Sequence, residues 1–167
     1  MEDVGAAQWA QIMTILQAQM APGGQLAGLK DLRKSLHLWT GALPAAGVQL
    51  IELTEEPRAT RRNLVTTLFH ILVSADSTAT ITGSTEVPAN LDAALATLQP
   101  LVNDGSGNGI TAILRANFGL VNASGQPLAL RTQVKSVRYY NDIGAGETPQ
   151  IFAYALIGFE AQVEVSI

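Results

Sequence analysis

Residues 63–73 have the sequence Asn-Leu-Val-Thr-Thr-Leu-Phe-His-Ile-Leu-Val and carry the clearest strand signal in the chain. Alternate side chains of a strand point to opposite faces of its sheet. One face of this segment holds Val65, Thr67, Phe69, Ile71 and Val73, and the other holds Leu64, Thr66, Leu68, His70 and Leu72. Both faces are mostly apolar, which is typical of a central strand that is covered on both sides. We therefore expect a sheet built around residues 63–73.

Three other segments supply neighbours for this strand. A strand begins at Val48–Leu53, and the charged connector 54–62 after it predicts a hairpin with a long protruding loop. Leu128–Tyr140 changes the phase of its alternation, which predicts a β-bulge near residues 135–136. In Ile151–Ile167 every odd-numbered residue is apolar, whereas the even-numbered residues are apolar only at first. We expect this last strand to be buried on both faces at its start and on one face later.

Apolar residues at helical spacing predict a helix over residues 5–20 and a second over 88–102. The leucines of residues 26–38 suggest a short amphipathic helix. Glycine-rich residues 103–109 predict a flexible loop. Residues 110–121 fit a helix nearly as well as a strand and stay unassigned.

The length of 167 residues suits one domain, so residues 1–167 are expected to form a single α+β domain. Its sheet is expected to be mixed, mainly antiparallel and flanked by helices. Charged residues make up 14% of the chain, against about a quarter in ordinary domains, which suggests that copies of the chain or a partner cover part of its surface. The net charge of −4 argues against a protein whose main task is gripping nucleic acid.

No catalytic constellation is visible in the sequence. The absence of cysteine excludes disulfides and thiolate chemistry, and neither His37 nor His70 has the spacing of a metal site. We expect His70 to be a core or interface histidine. The sequence therefore predicts no enzyme activity, no cofactor and no metal. The first residues, Met-Glu-Asp, are acidic, whereas a secretory signal peptide begins with basic residues. The sequence also has no apolar run of about 18 residues. We therefore expect synthesis in the cytoplasm and no membrane partner.

The first helix has no charge on the face opposite its apolar stripe. That face carries Gln8, Gln11 and Gln17, and no charged residue occurs between Asp3 and Lys30. One interpretation is a helix half-buried on its own domain. The other is that the glutamines pack on a neighbouring subunit, because burying an amide with a partner costs far less than burying a charge.

Charges are segregated along the chain. Arg58, Arg61 and Arg62 cluster between the first two strands, and the C-terminal region is acidic, with Asp142, Glu147, Glu160 and Glu164. Chance clustering on a solvated surface is one explanation. The alternative is a head-to-tail contact in which the arginines of one copy meet these acids of the next, an arrangement that closes into rings.

The order of these elements resembles the tail terminator family of long-tailed bacteriophages, also called minor tail or tail completion proteins. The resemblance rests on the N-terminal helix, the strand at 48–53 with its charged connector, the strand at 63–73, the helix at 88–102 and the two closing strands. It implies a homo-oligomeric ring of six copies that caps the head-proximal end of the tail tube in the virion. The tail tube protein and a neck or connector protein would be its partners, and DNA would pass through the lumen without sequence-specific binding.

Two other classes of function remain open at this point. One is another neck ring, such as a head–tail connector or stopper, or the tail tube protein itself. The other is a small-ligand-binding or enzymatic α+β domain with a pocket at a subunit interface.

Overall fold

A computed structural model of the chain describes residues 3–36, 42–76, 87–143 and 151–166. The secondary-structure elements in chain order are α1 (Val4–Ala18), β1 (Asp31–Arg33), β2 (Ala45–Ala59), β3 (Arg62–Asp76), α2 (Val87–Val102), α3 (Ile110–Ala116), β4 (Arg131–Ile143) and β5 (Ile151–Ser166). The strands form one mixed sheet in the order β1-β2-β3-β5-β4. Only β1 and β2 pair in parallel, and the other pairs are antiparallel. The predicted α+β class, the mainly antiparallel sheet and the central place of residues 63–73 are confirmed.

The helices pack on one face of this sheet. The odd-numbered residues of β3 from Val65 to Val73 are buried there, and Phe69 lies directly opposite Phe159 of β5 at the centre of the core. Fully burying such a side chain contributes about 1.5–3 kcal/mol relative to leaving it exposed. The N-terminus of α1 is capped by Asp3, whose carboxylate accepts a hydrogen bond from the backbone N–H of Ala6 at 3.1 Å.

The prediction of a long loop over residues 54–62 is wrong. β2 continues to Ala59 and β3 begins at Arg62, so Thr60 and Arg61 are the whole turn, with Arg61 at a φ of 65°. The ladder between β2 and β3 extends this far because β5 pairs with the other side of β3 along its whole length, up to Arg62, which lies opposite Ser166. Charged side chains do not stop a strand at a sheet edge, where water solvates them. The chain therefore builds a long hairpin in which residues 51–59 are exposed.

The predicted helix over residues 26–38 is also wrong where the structure describes it. Leu26 and Leu29 are buried, as a helical stripe would require, but they reach the core through a series of turns. Gly24 lets the chain fold back sharply, because a Cβ there would lie 2.2 Å from the carbonyl oxygen of Gln19. The following residues then pair with the start of β2 as β1. Residues 37–38 of this prediction lie outside the described part of the chain.

The segment between α2 and β4 is ordered by short-range hydrogen bonds. In residues 103–109, predicted to be a flexible loop, the Asp104 carboxylate accepts from the backbone N–H groups of Ser106 at 2.8 Å and Asn108 at 3.0 Å. The unassigned residues 110–121 begin with α3. In β4 the register shifts between Val134 and Ser136, which confirms the predicted bulge.

The two faces of the sheet differ in burial. The strand at 63–73 was expected to be covered on both faces, but its even-numbered residues are only half-buried and do not belong to the core cluster. In β5 the odd-numbered residues from Ile151 to Ala161 are buried, and most even-numbered ones are half-buried. None of the helices in the described ranges is long and apolar enough to span a bilayer.

Candidate assembly surfaces

The face of the sheet opposite the helices is the first candidate surface, and we call it the open face. Its middle consists of the half-buried β3 side chains Leu64, Thr66, Leu68, His70 and Leu72. His70 lies beside Gly158 of β5 rather than in the core. Among the described residues, no group of three His, Cys, Asp or Glu side chains is arranged to hold a metal ion. His37, the other histidine, lies outside the described residues.

The three arginines that the sequence singled out lie at the tip of the β2–β3 hairpin, where all are exposed. Arg58 forms an ion pair with Glu56 of its own strand at 3.7 Å. Arg62 lies 3.6 Å from Glu164 of β5. The hairpin tip therefore has acidic partners within the same chain, and its contact with another copy stays a prediction.

The acidic residues of the predicted contact do not form one patch. Glu160 pairs with Lys135 at 3.6 Å, and Glu164 pairs with Arg62. Asp142 lies at the other end of β4, opposite Phe152. Burial raises the pKa of Tyr154, and the negative charge of Asp142 adds to that rise. Glu147 lies outside the described residues.

The three glutamines of α1 have three different environments. Gln8 is completely buried, so the expectation that it lies on the outer face of the helix is wrong. Its Nε2 donates to the carbonyl oxygen of Leu128 at 2.8 Å, and its Oε1 accepts from the hydroxyl of Thr67. Gln11 is half-buried and donates to the carbonyl oxygen of Val121 at 2.7 Å. Of the three, Gln17 alone is exposed.

The sequence analysis missed an apolar groove, which lies between α3 and β4. It has a volume of about 320 Å³ and is lined by Ala116, Asn117, Phe118, Gly119, Val121, Pro127, Ala129 and Leu130. Phe118 is 66% exposed and Leu130 is 61% exposed, the two largest values among large hydrophobic residues in the described ranges. The available signal was an aromatic residue and a leucine on either side of the turn at Gly125-Gln126-Pro127. It was overlooked because residues 110–121 had no assigned structure.

The exposed hydrophobic side chains as a group follow the two edges of the sheet. The described ranges contain seven large ones, namely Ile51, Leu53, Phe118, Val121, Leu130, Tyr139 and Tyr140. Ile51 and Leu53 belong to the outer half of β2. The tyrosines belong to β4, and the other three belong to the segment that leads into β4. Burial raises the pKa of Tyr139, so even this exposed edge excludes water from part of the phenol ring.

The chain was compared with protein-family models and with curated proteins. No protein-family model matches it. No curated protein matches it at a significant level.

Proposed function

We propose that this chain is a structural subunit that assembles with copies of itself into a ring, and that the ring serves as a tail terminator of a long-tailed bacteriophage. The observation that carries the first half is the apolar groove with its exposed Phe118 and Leu130. Large apolar patches on a folded domain mark sites where another polypeptide binds. Because these two side chains are about two-thirds exposed, burying them in an interface contributes about 1–2 kcal/mol each.

The tail terminator half of the proposal is supported by the resemblance in element order. The helix α1, the β2–β3 hairpin, the helix α2 and the closing pair β4 and β5 follow one another as that resemblance requires. The hairpin strands have 15 residues each, a length of roughly 50 Å. An exposed hairpin of this length suits a ring subunit that contacts the tail tube or the neck above it.

Self-association of the purified chain tests whether copies of it assemble into a ring. We expect the mass measured by analytical ultracentrifugation to rise with concentration to that of a closed ring. The double substitution Phe118→Ser and Leu130→Ser should weaken this association at least tenfold while changing the free energy of unfolding by no more than about 0.5 kcal/mol. Gln99→Ser, at an exposed position of α2, is the matched control and should assemble like the parent. Unchanged assembly of the double variant would show that the groove is not an interface.

Electron microscopy of virions tests the second half. Antibody-labelled or tagged copies should lie in a single ring at the head-proximal end of the tail tube. Label repeated along the tube would identify a tube protein, and label at the head vertex would identify a connector, and either result would refute the tail terminator assignment.

A further inference from the structure

The side chains of the open face lie in rows, because residues that pair across neighbouring strands have the same height along the sheet. In the order β2, β3, β5 and β4, four successive rows are Thr54, Thr66, Gln162 and Arg131; Glu52, Leu68, Glu160 and Gln133; Gln49, His70, Gly158 and Ser136; and Gly47, Leu72, Leu156 and Arg138. The described helices pack on the other face of the sheet. These rows therefore form a surface on which a second sheet can pack.

Charge divides this surface between its two outer strands. Along these rows and the next one, β2 contributes the carboxylates of Glu52 and Glu56. β4 contributes Arg131, Arg138 and, from its bulge, Lys135, which is turned to this face by its ion pair with a glutamate of β5. Glu52 and Arg131 are exposed, and neither takes part in an ion pair among the described residues. A contact that lays β2 of one copy on β4 of another would pair these charges.

One symmetric arrangement of two copies makes that contact. A two-fold axis that runs along the strands, midway between β3 and β5, lays one open face on the other without changing the height of any row. β2 of each copy then faces β4 of the other, and β3 faces β5. Packed sheets lie about 10 Å apart and cross at about 30°, so rows within roughly 10 Å of the centre stay within about one strand spacing of the rows they face.

The acidic and basic side chains meet at equal height in this arrangement. Arg131 of one copy stands over Thr54 of the other, between Glu52 and Glu56. The open face has a depression of about 170 Å³ at this point, lined by Glu52, Thr54, Thr66, Leu68 and Glu160. The guanidinium of Arg131 fits this depression and can bind the carboxylate of Glu52 in bidentate fashion. The two-fold axis repeats the contact, so each pair of copies has two of them.

The side chains near the axis are complementary in size. His70 of each copy faces Gly158 of the other, which has no side chain to obstruct the imidazole. A larger residue would not fit at Gly158, because a Cβ there would lie 2.9 Å from the hydroxyl oxygen of Ser136 in the same chain. In the next row Leu72 of each copy faces Leu156 of the other. Charge pairs at the two sides of the contact thus enclose an apolar centre.

The surface is large enough for a specific contact. The five rows from that of Leu64 to that of Leu72 extend over roughly 30 Å, and four strands are roughly 20 Å wide. Each copy therefore contributes roughly 600 Å², so that the pair buries roughly 1,200 Å², which exceeds the approximately 1,000 Å² expected of a biological interface. An area at the lower end of specific complexes indicates a reversible dimer.

The other two-fold arrangement of these faces brings like charges together. An axis that runs across the strands places β2 on β2 and β4 on β4, so acids face acids and bases face bases, which repel. We propose that two copies of this chain pair through their open faces about a two-fold axis that runs along the strands between β3 and β5. The apolar groove lies beside α3 on the helix side of the sheet, so one copy can use both surfaces, and this inference does not rest on the ring.

Charge reversals test this pairing. They are made in the variant with Phe118→Ser and Leu130→Ser, so that the groove makes no contribution to association. Analytical ultracentrifugation of that variant should show a reversible dimer. Glu52→Arg and Arg131→Glu should each weaken the dimer at least tenfold at low salt, where charge pairs are least screened. Glu55→Arg is the matched control and should leave the dimer unchanged, because Glu55 lies on the same strand but is aligned with Val65 on the helix face.

Mixing the two reversals tests which residues meet. An equimolar mixture of the Glu52→Arg and Arg131→Glu variants should regain the affinity of the unreversed dimer, because both charge contacts then join opposite signs. Native mass spectrometry should show heterodimers in a 1:1 ratio. Both substitutions in one chain should restore a homodimer for the same reason. Circular dichroism spectra like that of the parent identify the variants as folded.

The outcomes for the open face are separate from those for the ring. A groove variant that stays monomeric at every concentration would overturn the open-face pairing. A dimer that neither reversal weakens, or folded variants that stay monomeric when mixed, would also overturn it. A parent chain that forms this dimer but no ring would refute ring assembly and support the open-face pairing.

Discussion

Replacing Gln8 by glutamate should severely destabilise the monomer. The side chain is completely buried, its amide donates to the carbonyl oxygen of Leu128, and its own oxygen accepts from the neutral hydroxyl of Thr67. Burial of an acid without a partner raises its pKa by roughly 3 units. At about 1.36 kcal/mol per unit, the free energy of unfolding at pH 7 falls by about 4 kcal/mol. That is a large part of the 5–15 kcal/mol that typical domains possess.

The penalty should depend on pH in one direction. Between the unfolded pKa of about 4.3 and the raised folded pKa, the folded state holds a proton that the unfolded state has lost, so stability falls as the pH rises. Near pH 4 the folded state and most of the unfolded state are protonated, and the remaining cost should be about 1 kcal/mol, because the protonated carboxyl can still donate to Leu128. Urea titrations followed by circular dichroism at pH 4 and pH 7 measure both values.

Gln17→Glu is the matched control. It makes the same chemical change on the same helix, at an exposed position in the last turn. A negative charge at this end of the helix interacts unfavourably with the helix dipole, which should lower the free energy of unfolding by no more than about 1 kcal/mol. Equal costs for the two substitutions at pH 7, or a cost at Gln8 that does not change with pH, would refute the buried environment assigned to Gln8.

Two further predictions concern the turn between α2 and α3. Gly109→Ala should lower the melting temperature far more than Gly107→Ala, because both have positive φ but only at Gly109 would a Cβ lie 2.7 Å from the backbone of Val102. Equal losses in thermal melts would contradict this. Hydrogen bonds from the side chains of Asn108 and Ser106 hold the pKa of Asp104 well below its usual range. The parent should therefore lose stability as the pH falls below about 4, and Asp104→Asn should show a smaller loss in urea titrations at pH 5 and pH 3.

Local pattern was enough to predict most of the sheet. The alternation of apolar residues in 63–73 and 151–167 predicted β3 and β5, and its change of phase near residue 135 predicted the bulge. Each signal depends only on the alternation of side chains between the two faces of the sheet, which is a local property of the sequence. The outer half of β2 was missed for a different reason. Its charges resemble those of a loop, and only the long-range pairing of β3 with β5 keeps that segment in a ladder.

The candidate surfaces were less predictable than the fold. Gln8 is polar, but three-dimensional contacts with Thr67 and Leu128 bury it, and nothing in the helical pattern indicates those partners. Clusters of charge in the sequence pointed to the hairpin arginines, whereas the pairing of Arg62 with Glu164 of the same chain becomes apparent only when the strand order is known. The groove at Phe118 depends on the path of residues 117–130 before the start of β4, and the apolar residues that flank the turn do not by themselves show that path.

The position of β5 has a consequence for synthesis on the ribosome. β5 follows every other strand along the chain, yet it lies between β3 and β4 in the sheet. Its residue Ser166 is made about 100 residues after its partner Arg62, a delay of roughly 5–20 s at 5–20 residues per second. Until then the β2–β3 hairpin has only local support and β4 has no strand to hold it. A nascent chain therefore cannot present β4 as the edge of a complete sheet until β5 has been made.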